Sequence, residues 1–286
     1  MLAITGASGH LGQATIKALL TKVAATDIVA VVRDPQKATD LQQQGVQVRQ
    51  GDYNDAASLV AAFQGVDTVF LISGTDLAHR AQQHQQVIDA AKQAGVQRLV
   101  YTSVLNPSRT SHFNASPSHL ATEEHLFASG LTYTVLRNAL YLDLVPGLVG
   151  RDAVPSGKFY FAAADGKVSY ALREEIAQAS ANVLTTSGHD NKIYDIAPSP
   201  AYSMQDVATA LSDVTGQPVA YVPVSAEDMA AGMRQHHVPE PIVEMMGGIA
   251  RAMAAGEFEV TSPAFEQLLG RKPTDLKTHL ATVYAK

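Results

Sequence analysis

The chain contains no cysteine. That absence excludes disulfides, thiolate nucleophiles, zinc–thiolate centres and cysteine-ligated iron–sulfur clusters, so any redox chemistry has to run through a bound organic cofactor. A long apolar run is missing too, since none approaches the roughly 18 residues that a membrane-spanning helix needs. The first residues read as a strand, not as a basic segment leading into an apolar one. No signal peptide is therefore evident, and a cytoplasmic location with no membrane partner is expected. Positive charge is scarce: the formal net charge is −6, which argues against nucleic acid as a partner. Metal-ligand patterns are lacking as well. His79 and His84 stand five apart and His236 and His237 are adjacent, neither with the spacing and nearby carboxylate of a helical metal site, so no metal is expected.

What is present is a globular chain of 286 residues, 46% hydrophobic, long enough for a substantial core in one large or two unequal domains. Its most informative segment is the first. A strand, Leu2–Thr5, runs into Gly6-Ala7-Ser8-Gly9-His10-Leu11-Gly12 and then into a helical pattern carried by Leu11, Thr15, Ala18 and Leu19. A strand feeding a helix through glycines leaves backbone N–H groups and the positive end of the helix dipole aimed at one spot, which suits a phosphate. The spacing is G-x-x-G-x-x-G, not the G-x-G-x-x-G of most dinucleotide dehydrogenases. The apolar strand Ile28–Val32 completes a βαβ unit. In such units a carboxylate about twenty residues beyond the glycines bonds the ribose of NAD, whereas an arginine accommodates the 2′-phosphate of NADP. Here Arg33 ends the strand, one step before Asp34, so NADP(H) is the expected cofactor.

Strand and helix patterns alternate through the first half. Strands are expected at 46–50, 68–72, 98–102 and 132–136, and helices at 56–63, 81–94 and 119–129. Alternation of this kind specifies an α/β fold, a doubly wound parallel Rossmann sheet with helices on both faces and its ligand outside the carboxyl ends of the strands. The residues just after each strand are therefore the site candidates: Gly6–Leu11, Arg33, Asp52 and Tyr53, Ser73 and Gly74, Ser103, and Asn138 through Tyr141. Beyond about residue 142 the alternation loosens. A hairpin is expected around 159–170 turning at Asp165-Gly166, a helix at 172–185, strands at 192–196 and 219–222, and a helix opened by the N-cap Ser203. Residues 226–258 read as helical and methionine-rich. The division is thus 1–142 as the nucleotide-binding domain and 143–286 as a smaller α/β region that covers the substrate and is interleaved with the last strands of the sheet.

Several segments together resemble the NmrA-like branch of atypical short-chain dehydrogenases: the Gly6–Gly12 turn, Arg33-Asp34-Pro35, Gly51-Asp52-Tyr53, Tyr101-Thr102-Ser103, the stretch from Glu123-Glu124 to Arg137-Asn138, and Leu268-Leu269-Gly270-Arg271-Lys272-Pro273. Within that branch the likeness is greatest to bacterial NAD(P)H:quinone oxidoreductases, over nearly the whole chain. The resemblance implies that the turn, with Ser8, His10 and Leu11, holds the pyrophosphate and Arg33 the 2′-phosphate. It implies further that Asp52 and Tyr53 lie by the adenine, with Ile72, Ser73 and Gly74 along the ribose and nicotinamide. Tyr101, Thr102 and Ser103 would border the nicotinamide, and Asn138 and Tyr141 would face the acceptor. His119 falls where many relatives keep a lysine.

Ordinary short-chain dehydrogenases use a Tyr-x-x-x-Lys pair, and this chain has none. Reduction of a ketone creates a hard alkoxide that needs an acid or oxyanion donor. A quinone yields a delocalised hydroquinone anion whose conjugate acid is a phenol, with a pKa of about 10, so water or a neutral donor suffices. The expected function is hydride transfer from NADPH to quinones or similar electrophilic carbonyl acceptors, by a monomer or homodimer. The alternative is a dinucleotide-binding redox sensor without turnover. His119 is a candidate proton donor, or else a helix residue in contact with Glu123. Ser103, Asn138 and Tyr141 are candidates for contact with the acceptor. Glu174-Glu175 reads as a solvated helix start. The methionines read as core filling or as a permissive acceptor pocket. Replacing Arg33 by Ala is expected to raise the KM for NADPH much more than that for NADH; equal effects on the two cofactors contradict the assignment.

Overall fold

The computed structural model describes residues 1–285. The first half supplies strands β1 (Leu2–Ile4), β2 (Ile28–Val32), β3 (Gln47–Gln50), β4 (Thr68–Leu71), β5 (Arg98–Val104) and β6 (Thr132–Asn138). They are joined through helices α1 (His10–Leu19), α2 (Thr39–Gln43), α3 (Ala56–Ala62), α4 (Arg80–Gln93) and α5 (Ser116–Ala128). The second half supplies the short strands β7 (Leu140–Tyr141), β8 (Lys158–Phe161), β9 (Lys167–Val168) and β10 (Tyr170–Ala171), then β11 (Lys192–Ile196), β12 (Tyr202–Ser203) and β13 (Ala220–Pro223). Its helices are α6 (Val145–Val149), α7 (Ala153–Ser156), α8 (Arg173–Thr185), α9 (Met204–Thr215), α10 (Ala226–Gln235), α11 (Glu240–Ala254), α12 (Ala264–Leu269) and α13 (Leu276–Tyr284).

Seven strands form one sheet in the order β3-β2-β1-β4-β5-β6-β11, every neighbouring pair parallel. The sequence explains why this sheet is parallel and interior. All five residues of β2 and all four of β4 are buried, as expected of strands covered on both faces by helices. Alternate residues serve alternate cores. Ile4, Ala30, Phe70, Val100 and Leu136 pack with α1 and α8. Ala3, Val29, Val31, Val69, Leu99 and Val135 pack with α3, α4 and α5. The winding reverses between β1 and β4, so a crevice opens at their carboxyl ends, where ligands of such sheets sit.

The second half divides between two bodies. Its α8, β11 and α12 return to the sheet and its core, whereas α6, α9, α11 and α13 enclose a separate core of their own with β8. The expected hairpin around 159–170 does not form. Gly166 N–H does close a turn on Ala163 O (3.0 Å), but β8 pairs in parallel with β13, and β9 pairs with β12. Ser169 diverts the chain: its N–H donates to Phe258 O (3.2 Å) and its hydroxyl to Val260 O, which leads β10 to β7. The 226–258 segment is two helices rather than one. His237 turns left-handed (φ 55°) and Pro239 and Pro241 open the second helix, since a residue before proline avoids helical geometry. Met253 fills the second core, while Met245 stays exposed. The α5 helix starts at Ser116, three residues earlier than its pattern indicates, because Pro117 sits in the first turn, where its missing N–H costs nothing. The Glu174-Glu175 reading holds for one residue only. Glu174 is exposed, but Glu175 is 2% exposed and accepts from Arg271 (2.5 Å) and from the Thr274 N–H and hydroxyl, clamping the Arg271–Thr274 loop onto α8.

Candidate active site

At the carboxyl end of β1 the chain turns at Gly6, whose φ of +60° favours glycine. Gly9 N–H closes the turn on Gly6 O (2.9 Å). A Cβ on Gly12 would lie 2.4 Å from Gly6 O and 2.8 Å from Ala7 Cα, so only glycine lets α1 press this closely on the turn. No side chain caps α1 at Gly9, and the first bond within the helix is from Gln13 N–H to Gly9 O. The N–H groups of His10, Leu11 and Gly12 are thus left at the positive end of the helix, the arrangement that binds a phosphate. Ser8 and His10 are exposed, and Ala7 and Leu11 anchor the turn in the core.

Arg33 is exposed at the end of β2. Its neighbour Asp34 does not neutralise it: that carboxylate accepts from Gln36 N–H (3.1 Å) and stands 3.9 Å from Lys37 Nζ. Asp52 caps its own turn through Asn54 N–H (2.9 Å). Tyr53 is half-buried, with its hydroxyl turned inward. Its hydroxyl is 2.5 Å from Thr5 Oγ1 and 2.8 Å from Ile72 O, bridging the ends of β1 and β4. The Tyr53 ring closes the floor of the crevice between Gly6 and Gly74. Burial raises its pKa, so it is a neutral strut. On the next strand Thr102 Oγ1 accepts from Ser73 N–H (2.9 Å), fixing the Ile72–Gly74 loop.

That loop is also pinned by a buried polar network of side chains from α4, β5 and α5. Gly74 N–H donates to His84 Nε2 (3.0 Å), and Gly74 O accepts from Arg80 Nε (2.7 Å). Arg80 Nη1 lies 3.2 Å from His119 Nε2, and His119 Nδ1 lies 2.7 Å from the Tyr101 hydroxyl. Arginine can only donate, so His119 Nε2 accepts and its proton sits on Nδ1, toward Tyr101. The same logic protonates His84 on Nδ1, toward Thr122 Oγ1 (2.9 Å), because the Thr122 hydroxyl donates to Ser118 O (2.8 Å). Burial, then Arg80, depresses the His84 pKa to about 3. Burial, Arg80 and His84, in that order, hold His119 well below its ordinary value. Both imidazoles are therefore neutral. His119 makes no hydrogen bond to Glu123, which instead forms a two-pronged pair with Arg137 (3.0 and 2.6 Å) and so locks α5 to β6. The proton-donor reading of His119 requires a cation that this surrounding does not allow.

The carboxyl ends of β5 and β6 are different in kind. Ser103 Oγ and both amide atoms of Asn138 are buried there with no hydrogen bond of good geometry, although the Asn138 amide lies near enough to the Tyr141 hydroxyl to lower its pKa. Buried polar groups are normally paired, and these stand at the strand ends where ligands of such sheets sit, which makes them candidates for contact with one. Tyr141 follows on β7. Burial raises its pKa, with Arg173 acting in the other direction, and the Arg173 guanidinium lies over its ring at 5.4 Å. Arg173 was not evident from the sequence. It reaches Asp143 (3.3 Å) and His10 Nδ1 (3.3 Å), joining the glycine turn to the entry of the second core. Arg80 and His84 were missed as well. No sequence signal marked Arg80, which stood just before the helix expected at 81–94 and is the first residue of α4, where the dipole disfavours a cation. Among the described residues no group of three or more His, Asp or Glu side chains could hold a metal, and no helix is long and apolar enough to cross a membrane.

A model of the NmrA-like family matches residues 1–284. Quinone oxidoreductase 2 of Escherichia coli (strain K12) is 37% identical over 284 residues, 99% of each chain. Among solved structures, the NADPH complex of an E. coli NADPH-dependent quinone oxidoreductase superposes with a TM-score of 0.95 at 37% identity, over 99% of this chain and all of the other. The NADP(H) complex of a Citrobacter triphenylmethane reductase gives a TM-score of 0.93 at 39% identity, over 98% of this chain and all of the other.

The neutral imidazoles set a pH dependence. Their folded-state pKa values lie below the unfolded value of about 6.5, so below that pH the unfolded chain binds the extra protons. Stability is complete above pH 6.5 and falls as the medium is acidified, by up to about 1.4 kcal/mol per pH unit for each histidine. In chemical denaturation between pH 7 and pH 5, His119→Gln is expected to show a shallower loss than the unaltered chain. The pH profile of its kcat should keep the same shape. An inflection near pH 6.5 that His119→Gln abolishes contradicts the assignment.

Proposed function

The chain belongs to the NmrA-like family, and we propose that within it the chain acts as a reductase passing hydride from NADPH to quinones or similar electrophilic carbonyl acceptors. The observation that carries this reading is the pairing of two features across one crevice. A phosphate cradle with an unneutralised Arg33 lies on one side, and buried, unpartnered and uncharged hydrogen-bonding groups lie on the other. The activities of the similar proteins, quinone oxidoreduction and triphenylmethane reduction with NADP(H), agree with it.

The residues divide the work. The N–H groups of His10, Leu11 and Gly12 receive the pyrophosphate, with Ser8 beside them, and Arg33 receives the 2′-phosphate through a planar fork of donors. Ile72, Ser73 and Gly74 run along the ribose and nicotinamide, on a floor formed by Tyr53 and held by Thr102. When bound, the reduced dinucleotide supplies two electrons and a proton together as hydride. Asn138, Ser103 and Tyr141 face the acceptor. The Asn138 amide offers a donor to a carbonyl oxygen and an acceptor to a hydroxyl, which suits both a quinone and its hydroquinone. None of these groups is an acid at neutral pH. The site orients a flat acceptor against the cofactor and leaves protonation to water, which limits it to acceptors that yield stabilised anions. His119 is a neutral positioning group for the Ile72–Gly74 loop.

Following NADPH absorbance with benzoquinone, with a simple ketone and with no acceptor tests the reading. Rapid oxidation with the quinone alone is expected. Equal turnover of the ketone contradicts the acceptor assignment, and tight NADPH binding without turnover of any acceptor favours the redox-sensor alternative.

A further inference from the structure

Arg80 is only 7% exposed, yet no carboxylate lies within ion-pairing distance of it among the described residues. Asp76, the one carboxylate whose charge acts on it, is hydrogen-bonded to His79 instead (2.9 Å). Arg80 is also the first residue of α4, where the helix dipole opposes a cation. A buried charge is ordinarily paired. Here its partners are neutral: Gly74 O through Nε and His119 through Nη1, while Nη2 has no protein partner. Nη2 retains contact with open space. The guanidinium is therefore fixed on the loop that lines the crevice at the carboxyl end of β4, with one nitrogen free to meet an anion there.

We propose that Arg80 is the counter-charge for the anion that forms on the acceptor. This rests on the quinone-reductase reading above. The quinone gains a hydride and becomes a hydroquinone monoanion, and the dinucleotide is left in its oxidised form. The proton that completes the hydroquinone comes from water, and Arg80 stays protonated throughout. The fork of hydrogen bonds from Gly74 and His119 fixes where the charge stands. It stabilises the product side of hydride transfer without supplying a proton, which is the role left vacant by the missing Tyr-x-x-x-Lys pair. The same charge favours phenolates over phenols as ligands of the oxidised-cofactor complex.

The test uses 4-nitrophenol, whose ionised form absorbs visible light, bound to the full-length protein with NADP⁺. Its apparent pKa in the complex is expected to fall by about 1 to 3 pH units relative to free solution, the effect of an opposite charge close by. Arg80→Met should abolish that shift and lower kcat for benzoquinone by about 100-fold. Arg80→Lys retains the charge and should restore most of the shift and of kcat. If Arg80 is only a structural crosslink, Lys fails as Met does and the proposal is overturned. An unshifted nitrophenol pKa in the unaltered protein, or no saturable nitrophenol binding, overturns it without any variant. A shifted pKa in a protein that reduces no quinone leaves the Arg80 charge in the crevice and refutes the quinone reading instead.

Discussion

The contact on which the site depends is the approach of α1 to the turn that precedes it. Gly12 lies so near Gly6 O and Ala7 Cα that one added carbon would collide with backbone. Because it fits, the uncapped N-terminus of α1 stands at the carboxyl end of β1, beside the reversal in strand order between β1 and β4. That one contact sets where an anion binds, which strand ends can reach it and which side of the crevice remains for a second molecule. Tyr53 and Thr5 then tie β1 to β4 beneath it, so the floor of the crevice is rigid.

Two kinds of polar group surround this crevice, and their difference decides the chemistry. Those holding the Ile72–Gly74 loop, Gly74, His84, Arg80, His119, Tyr101 and Thr122, are hydrogen-bonded to one another in the interior, with one Arg80 nitrogen left free. Such a network positions backbone and does not exchange protons, because desolvation keeps its imidazoles neutral. Those at the ends of β5 and β6, Ser103 and Asn138, are unsatisfied. A site built from neutral donors and one buried cation handles an acceptor that becomes a stabilised anion, and it is poorly equipped for a ketone.

The sheet and the cradle were legible because they rest on local pattern. Apolar runs such as Ile28–Val32 and glycines at fixed offsets have few other uses. Strand β11 was legible too, although its place beside β6 depends on a crossover that no local pattern encodes. Less legible was everything decided by distant partners. The failed hairpin at 159–170 turns on Ser169 finding Phe258 and Val260, about ninety residues later. Glu175 reads like Glu174 in sequence, and only Arg271 and Thr274 make it a buried clamp. His119 looks like an acid until Arg80, on another helix, fixes its tautomer and charge.

The central claim is that this crevice delivers hydride to an acceptor without a protein proton donor. Isotope effects on single-turnover quinone reduction test it most directly. The account predicts a primary effect well above unity with NADPH deuterated at the transferring position, and a rate unchanged when heavy water replaces water. A large solvent isotope effect would contradict it, because a proton held by the protein would then be moving in the same step as the hydride.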